Sequence, residues 1–144
     1  MAYTDHELRK IYNRTSGKCH LCGRALSLTN YAQYGEKGAW EVEHSNCRAK
    51  GGTDRLNNLY AACISCNRSK GVRSTRAARA REGFSRAPLS REKRQTAKRE
   101  NAFIGGALTL FGAAALGATG PGLVVVAALG AMFGHSVNPD KPWD

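Results

Sequence analysis

Two Cys-x-x-Cys pairs, Cys19/Cys22 and Cys63/Cys66, stand on either side of residues 23–62 and constrain the fold more than any other feature. Four thiolates carried on two short knuckles suit a tetrahedral zinc site, with Zn–S bonds of about 2.3 Å. The need for a staple follows from the rest of the segment up to Gly71. It holds few large apolar side chains, so its core must be thin, and a metal compensates for buried area that is missing. The alternative is a pair of disulfides or unpaired core thiols. Cys47 is the odd one out and reads as a small core or loop thiol, not a ligand.

Local signals place the elements around the knuckles. Thr4-x-x-Glu7 is a capping-box pattern, followed by Leu8, Ile11 and Tyr12 at helical spacing and by Gly17 as a stop, which predicts a helix over roughly residues 5–15. Leu26 to Lys37 has no clear period. Trp40 to His44 alternates as a strand, Arg48 to Asn57 reads as a long loop around Gly51-Gly52-Thr53-Asp54, and Asn58 to Ala62 reads as a second short strand. A helix is predicted from about Ile64, carrying Cys66, Asn67 and Lys70.

His44 at the end of the first strand is a natural general base, because its ordinary pKa of about 6.5 lies near working pH. If such a base activated water for attack on a charged ester, a cation would also be needed against the developing negative charge. A carboxylate beside the base and an amide oxygen from the next helix, Glu43 and Asn67, are hard oxygen ligands of the kind Mg²⁺ takes. Neighbours in a strand point to opposite faces, so Glu43 and His44 can share a site only if the strand ends or twists there.

Two knuckles flanking Glu43-His44, with Asn-Asn-Leu ahead of Cys63-x-x-Cys66-Asn67-x-x-Lys70, resemble the zinc-stapled branch of the HNH, or ββα-metal, endonucleases. The resemblance covers residues 19–71. It implies an α+β fold, a small ββα-metal nuclease domain with a four-cysteine zinc site. It also implies roles: His44 as general base, Asn58 as the residue that tethers the loop and orients that base, and Glu43 and Asn67 as ligands of a catalytic Mg²⁺ or Mn²⁺. Glu43 stands where the family more usually has Asp, and Ser45-Asn46-Cys47 departs from the family's usual Ile and Pro after the base. Arg68, Lys70 and Arg73 are candidate phosphate contacts.

Charge divides the chain further. The formal net charge of +11 is concentrated in residues 1–71 and in the Arg/Lys-rich residues 72–100, whereas Asn101 to Pro139 contains no Asp, Glu, Lys or Arg. This predicts a nuclease domain over 1–71, a solvated basic linker over 72–100 broken near Gly83 and Pro88, and an apolar Gly/Ala-rich helical tail over 101–144. Small residues recur every fourth position at Gly105, Thr109, Ala113 and Gly117, as in closely packed membrane helices, and Gly120-Pro121-Gly122 should break the tail into two arms. The expectation is a membrane-inserted segment over 102–134, with a soluble hairpin and homo-oligomer as the other option. The basic flank would keep the nuclease half cytoplasmic, and the opening residues lack the apolar core of a secretory signal.

The combined expectation is a metal-dependent DNA endonuclease with a tethering or self-associating tail, in the manner of a phage-defence or conflict effector. Two other classes compete: a zinc-dependent nucleic-acid-binding module without catalysis, and a membrane-active effector whose tail is the toxic part. The set Glu43, His44, Asn58 and Asn67 favours catalysis, since a pure binder has no chemical use for it.

Overall fold

The computed structural model describes residues 3–115, 127–129, 131–133, 136 and 139, and the chain divides into two compact units, Met1–Arg91 and Glu92–Asp144. The first unit opens with helix α1 (Asp5–Asn13), started by a reciprocal capping box. The Glu7 backbone N–H donates to Thr4 Oγ1 at 3.3 Å, and the Thr4 N–H donates to Glu7 Oε2 at 2.8 Å. Two strands follow, β1 (Trp40–His44) and β2 (Leu59–Cys63), paired antiparallel with Trp40 opposite Cys63 and His44 opposite Leu59. Helices α2 (Ile64–Lys70) and α3 (Thr75–Arg81) complete the unit.

The register sets the geography of the domain. Cys63 lies at one end of the ladder and His44 at the other, four residues apart in pairing, or about 14 Å at the rise of an antiparallel strand. The cysteine cluster therefore staples one end of the hairpin, away from the candidate base. Between them sits a core of Ile11, Leu21, Leu26, Trp40, Leu59 and Ala61, each under a tenth exposed. The Trp40 ring packs between Tyr12 and Tyr31, with ring centroids 5.6 and 5.0 Å away. The first knuckle is held to the sheet through the His20 N–H, which donates to the Ala61 carbonyl at 2.8 Å.

The basic stretch after Gly71, read from sequence as a linker, carries structure of its own. Thr75, Ala78 and Arg79 follow the i, i+3, i+4 spacing of one helix face. That face of α3 docks on the domain: Thr75 Oγ1 donates to the Ser45 carbonyl at 2.8 Å, Ala78 joins the core, and Arg79 Nε donates to the His20 carbonyl at 2.9 Å. The inward residues are small or polar, which is why composition alone gave a solvated stretch. Arg76 and Arg81 on the same helix are exposed.

In the second unit, α4 (Arg91–Ala115) joins the charged end of that stretch to the apolar segment in one helix. Gly106 faces Ala127 and Ala131, and a Cβ added there would meet the Ala131 Cβ at 3.5 Å, a close approach that small residues permit. Among the described residues no helix is long and apolar enough to cross a membrane. The membrane span expected over 102–134 is thus not supported by them, because the described apolar part of α4 ends at Ala115 and its other half is charged. The expected break at Gly120-Pro121-Gly122 lies outside the described residues.

Candidate functional site

The Sγ atoms of Cys19, Cys22, Cys63 and Cys66 all lie within 4.8 Å of one another, and none is in a disulfide. Cys22 Sγ and Cys63 Sγ are 3.8 Å apart, close to the ~3.8 Å edge of a tetrahedron with Zn–S bonds of about 2.3 Å. Local backbone geometry prepares the donors. The N–H groups of Leu21, Cys22 and Cys63 point at Cys19 Sγ from 3.3–3.5 Å, and Arg24 Nε donates to Cys22 Sγ at 3.2 Å. Four thiolates on a divalent ion leave two net negative charges, which these donors offset. The cluster is a candidate zinc site on both spacing and donor chemistry. Among the described residues it is also the only group of three or more His, Cys, Asp or Glu placed to hold a metal.

At the far end of the hairpin, His44 opens on a cleft of about 450 Å³, whose lining also includes Glu41, Asn67, Arg48 and Tyr31. His44 Nε2 lies 2.7 Å from Asp54 Oδ1, and Arg48 holds the same oxygen through Nε at 3.0 Å and a terminal guanidinium nitrogen at 2.7 Å. The Asp54 carboxyl is held below its ordinary value, first by the hydrogen bond to His44 and then by Arg48. Asp54 comes from the loop between β1 and β2, which Asn58 closes. The Asn58 amide accepts from the Asn46 N–H at 2.7 Å and donates to the carbonyls of Asn46 and Thr53 at 2.9 and 2.8 Å. Gly52 has no room for a side chain, since a Cβ there would lie 1.8 Å from the Asn46 carbonyl oxygen. Substituting Gly52 with Ala should therefore open this loop and show as altered amide shifts at Asn46 and Asn58, while α1 stays unchanged.

Glu43 departs from its expected place. It is fully buried on the face opposite His44, with Oε2 2.9 Å from His20 Nδ1 and Oε1 2.9 Å from Lys70 Nζ. Strand alternation is the cause: β1 stays regular through His44, so residues 43 and 44 diverge. Arg79 approaches His20 Nε2 from the other side. A guanidinium only donates, so His20 Nε2 accepts, and the ring proton sits on Nδ1, directed at Glu43. Burial holds His20 below its ordinary pKa against the opposing pull of Glu43, and Arg79 adds to the depression. Burial alone would raise Glu43, but the hydrogen bonds from His20 and Lys70 outweigh it and hold the carboxyl below its ordinary value. The result is a buried carboxylate clamped by a neutral imidazole and an ammonium. Oε2 is bonded to His20, and Oε1, which has no well-aligned hydrogen-bond partner, is ion-paired with the Lys70 ammonium inside the core, so Glu43 as placed does not fit a ligand of a hard divalent cation.

The other expected residues divide. Asn67 lines the cleft, and its Nδ2 donates to Glu41 Oε2 at 3.0 Å. Arg68 pairs with Glu41 Oε1 at 3.0 Å while 60 % of its side chain stays exposed. Lys70, expected on phosphate, is buried: it pairs with Glu43, and its Nζ donates to the His44 carbonyl at 3.0 Å. Arg73 turns back on the carbonyls of Ser69 and Lys70. Cys47 is half-buried at the cleft wall and apart from the cysteine cluster. Three residues with specific placements carried no assigned role in the sequence reading: His20, Asp54 and Arg79. Asp54 stands in the Gly-Gly-x-Asp loop and His20 inside the knuckle, so both were in view. Their partners, 10 and 23 residues away, were not.

A family model described as HNH endonuclease matches residues 19–73, from the first knuckle to just past the end of α2. No curated protein and no solved structure matches the chain significantly. The matched interval contains the four-cysteine cluster, the β1–β2 hairpin, the loop closed by Asn58 and the helix bearing Asn67, so residues 19–73 of this chain are a domain of the HNH endonuclease family.

Proposed function

We propose that this protein is a DNA endonuclease in which His44 is the general base that activates water for attack on a phosphodiester. The observation that carries the reading is the placement of His44: on the last residue of β1, in an open cleft, with its ring held by Asp54 from a loop that Asn58 closes. The chemistry required of it is modest, one proton taken from water as the oxygen attacks phosphorus and the bond to the leaving oxygen breaks. Arg68 and the exposed Arg76 and Arg81 supply cationic contacts for the phosphate backbone, giving affinity that falls with salt and carries no sequence choice. Lys70 does not join them, because it is spent inside the domain. Zn²⁺ in the four-cysteine cluster is structural in this reading, since all four positions are filled by protein thiolates and no site is left for water.

The family resemblance implies a catalytic Mg²⁺ or Mn²⁺. Of the two ligands the resemblance names for it, Asn67 lines the cleft and Glu43 is not placed to bind it. The full-length protein with either ion should nick supercoiled plasmid, and His44→Ala should lower the rate about 10²- to 10⁴-fold while zinc content and fold are retained. A His44→Ala protein that cuts at the wild-type rate would remove His44 from the chemistry. Wild-type protein that binds duplex DNA but leaves it intact with Mg²⁺ and with Mn²⁺ would favour the non-catalytic binding module instead.

A further inference from the structure

We propose that Asp54 is the positioning residue for His44: it holds the imidazole as the Nε2–H tautomer and leaves Nδ1 as the nitrogen that accepts the proton from water. This rests on the reading of His44 as the base, and it reassigns the task of orienting that base, which the resemblance gives to Asn58. The three hydrogen bonds of the Asn58 side-chain amide all go to the backbone of Asn46 and Thr53, at either end of the turn that presents Asp54, and not to the His44 ring. Asn58 acts on the base through the loop, and Asp54 is the group that reaches it, at 2.7 Å.

The tautomer follows from the inventory of donors. An ionised carboxylate only accepts, so a 2.7 Å contact from Asp54 Oδ1 to Nε2 requires that Nε2 carry the hydrogen. Two donors of Arg48 converge on the same oxygen, as they would on a carboxylate. The His44 backbone is already fixed, with its carbonyl accepting from Lys70 Nζ and its place in the ladder set opposite Leu59. Rotation of the ring is what remains, and the Asp54 bond removes it. When Nδ1 takes the proton, Nε2 keeps its hydrogen, so the bond to Asp54 need not be remade. The wrong tautomer would point N–H at the water and could accept nothing.

A purely structural role makes a different forecast. The Arg48–Asp54 pair is solvent-exposed, with 56 % and 41 % of the side chains accessible, and pairs of that kind contribute little to stability. Loss of Asp54 should therefore leave the fold standing and change the chemistry. The test uses full-length zinc-loaded protein labelled with ¹⁵N in histidine, read by long-range ¹H–¹⁵N correlation where His44 is neutral, together with steady-state plasmid cleavage. Wild type should show His44 with hydrogen on Nε2 alone. Asp54→Ala should give a mixture of tautomers and a kcat lower by roughly ten- to a thousandfold, with KM within about twofold of wild type because phosphate contacts are untouched. Asp54→Asn, whose amide can donate to Nε2, should shift the mixture towards the Nδ1–H form. If either variant keeps the single Nε2–H tautomer or the wild-type kcat, the positioning role is overturned. A wild-type protein that cuts nothing, yet holds an Nε2–H tautomer that Asp54→Ala scrambles, would remove the nuclease reading and leave the pairing intact.

Discussion

Stripping the metal from the four-cysteine cluster, or replacing Cys63 with Ser, is expected to unfold the first unit outright. The cluster joins the knuckle at residues 19–22 to the corner where β2 becomes α2. The core is small, and several of its buried positions are Ala or the ligands themselves: Cys19 is fully buried, Cys22 7 % exposed and Cys66 8 % exposed. Binding of structural zinc by small domains is worth about 10–16 kcal/mol, as large as the whole stability of about 5–15 kcal/mol typical of a folded domain. The purified protein should hold one zinc per chain, and chelation should abolish the cooperative melt and collapse amide dispersion, with recovery on adding Zn²⁺ back. A metal-free protein with an unchanged melt would show that the thiols merely pack. The metal also tells the two ends of the hairpin apart: Cys63→Ser should lose fold and cleavage together, whereas His44→Ala should lose cleavage alone.

Glu43→Ala is expected to cost about as much as a buried ion pair broken on one side, roughly 3–5 kcal/mol. The variant leaves the Lys70 ammonium, 4 % exposed, without its counter-charge, and leaves the His20 N–H, 1 % exposed, without an acceptor. For a unit of this size each kcal/mol moves the melting temperature by about 4–8 °C, so a drop of roughly 12–40 °C should be seen by calorimetry. The forecast separates the two uses of this carboxylate. A residue whose only task was to hold a catalytic cation would lose cleavage on substitution and keep its melt, because removing a surface ligand leaves no buried charge behind. Replacing both partners, as Glu43→Leu with Lys70→Met, should recover much of the lost stability, since two apolar side chains need no desolvation of charge. An unchanged melt in Glu43→Ala would mean that the clamp by His20 and Lys70 is not formed in solution.

Local chemistry was legible in the sequence wherever it is written over a few residues. The capping box of Thr4 and Glu7, the two knuckles, the strand at Trp40–His44 and the start of α2 at Ile64 depend on near neighbours, and each stands where spacing put it. The second strand falls one residue later than expected, at Leu59–Cys63, because Leu56–Asn58 closes as a helical turn before it.

The candidate site needed more. Alternation along β1 already implied that Glu43 and His44 face opposite ways, but a sequence does not say which face is buried or what waits there. His20 and Arg79 reach Glu43's side of the sheet from 23 residues before and 36 residues after it, and Lys70 turns inward to the same carboxylate. Asp54 meets His44 only because Gly52 lets the loop close on Asn46 and Asn58 ties it. By itself the sequence marked the four clustered cysteines, the elements around them up to the start of α2, and His44 as the candidate base. The tertiary structure alone decided which carboxylate meets His44 and which is buried, since a buried charge is tolerated only where the fold brings its partners to it.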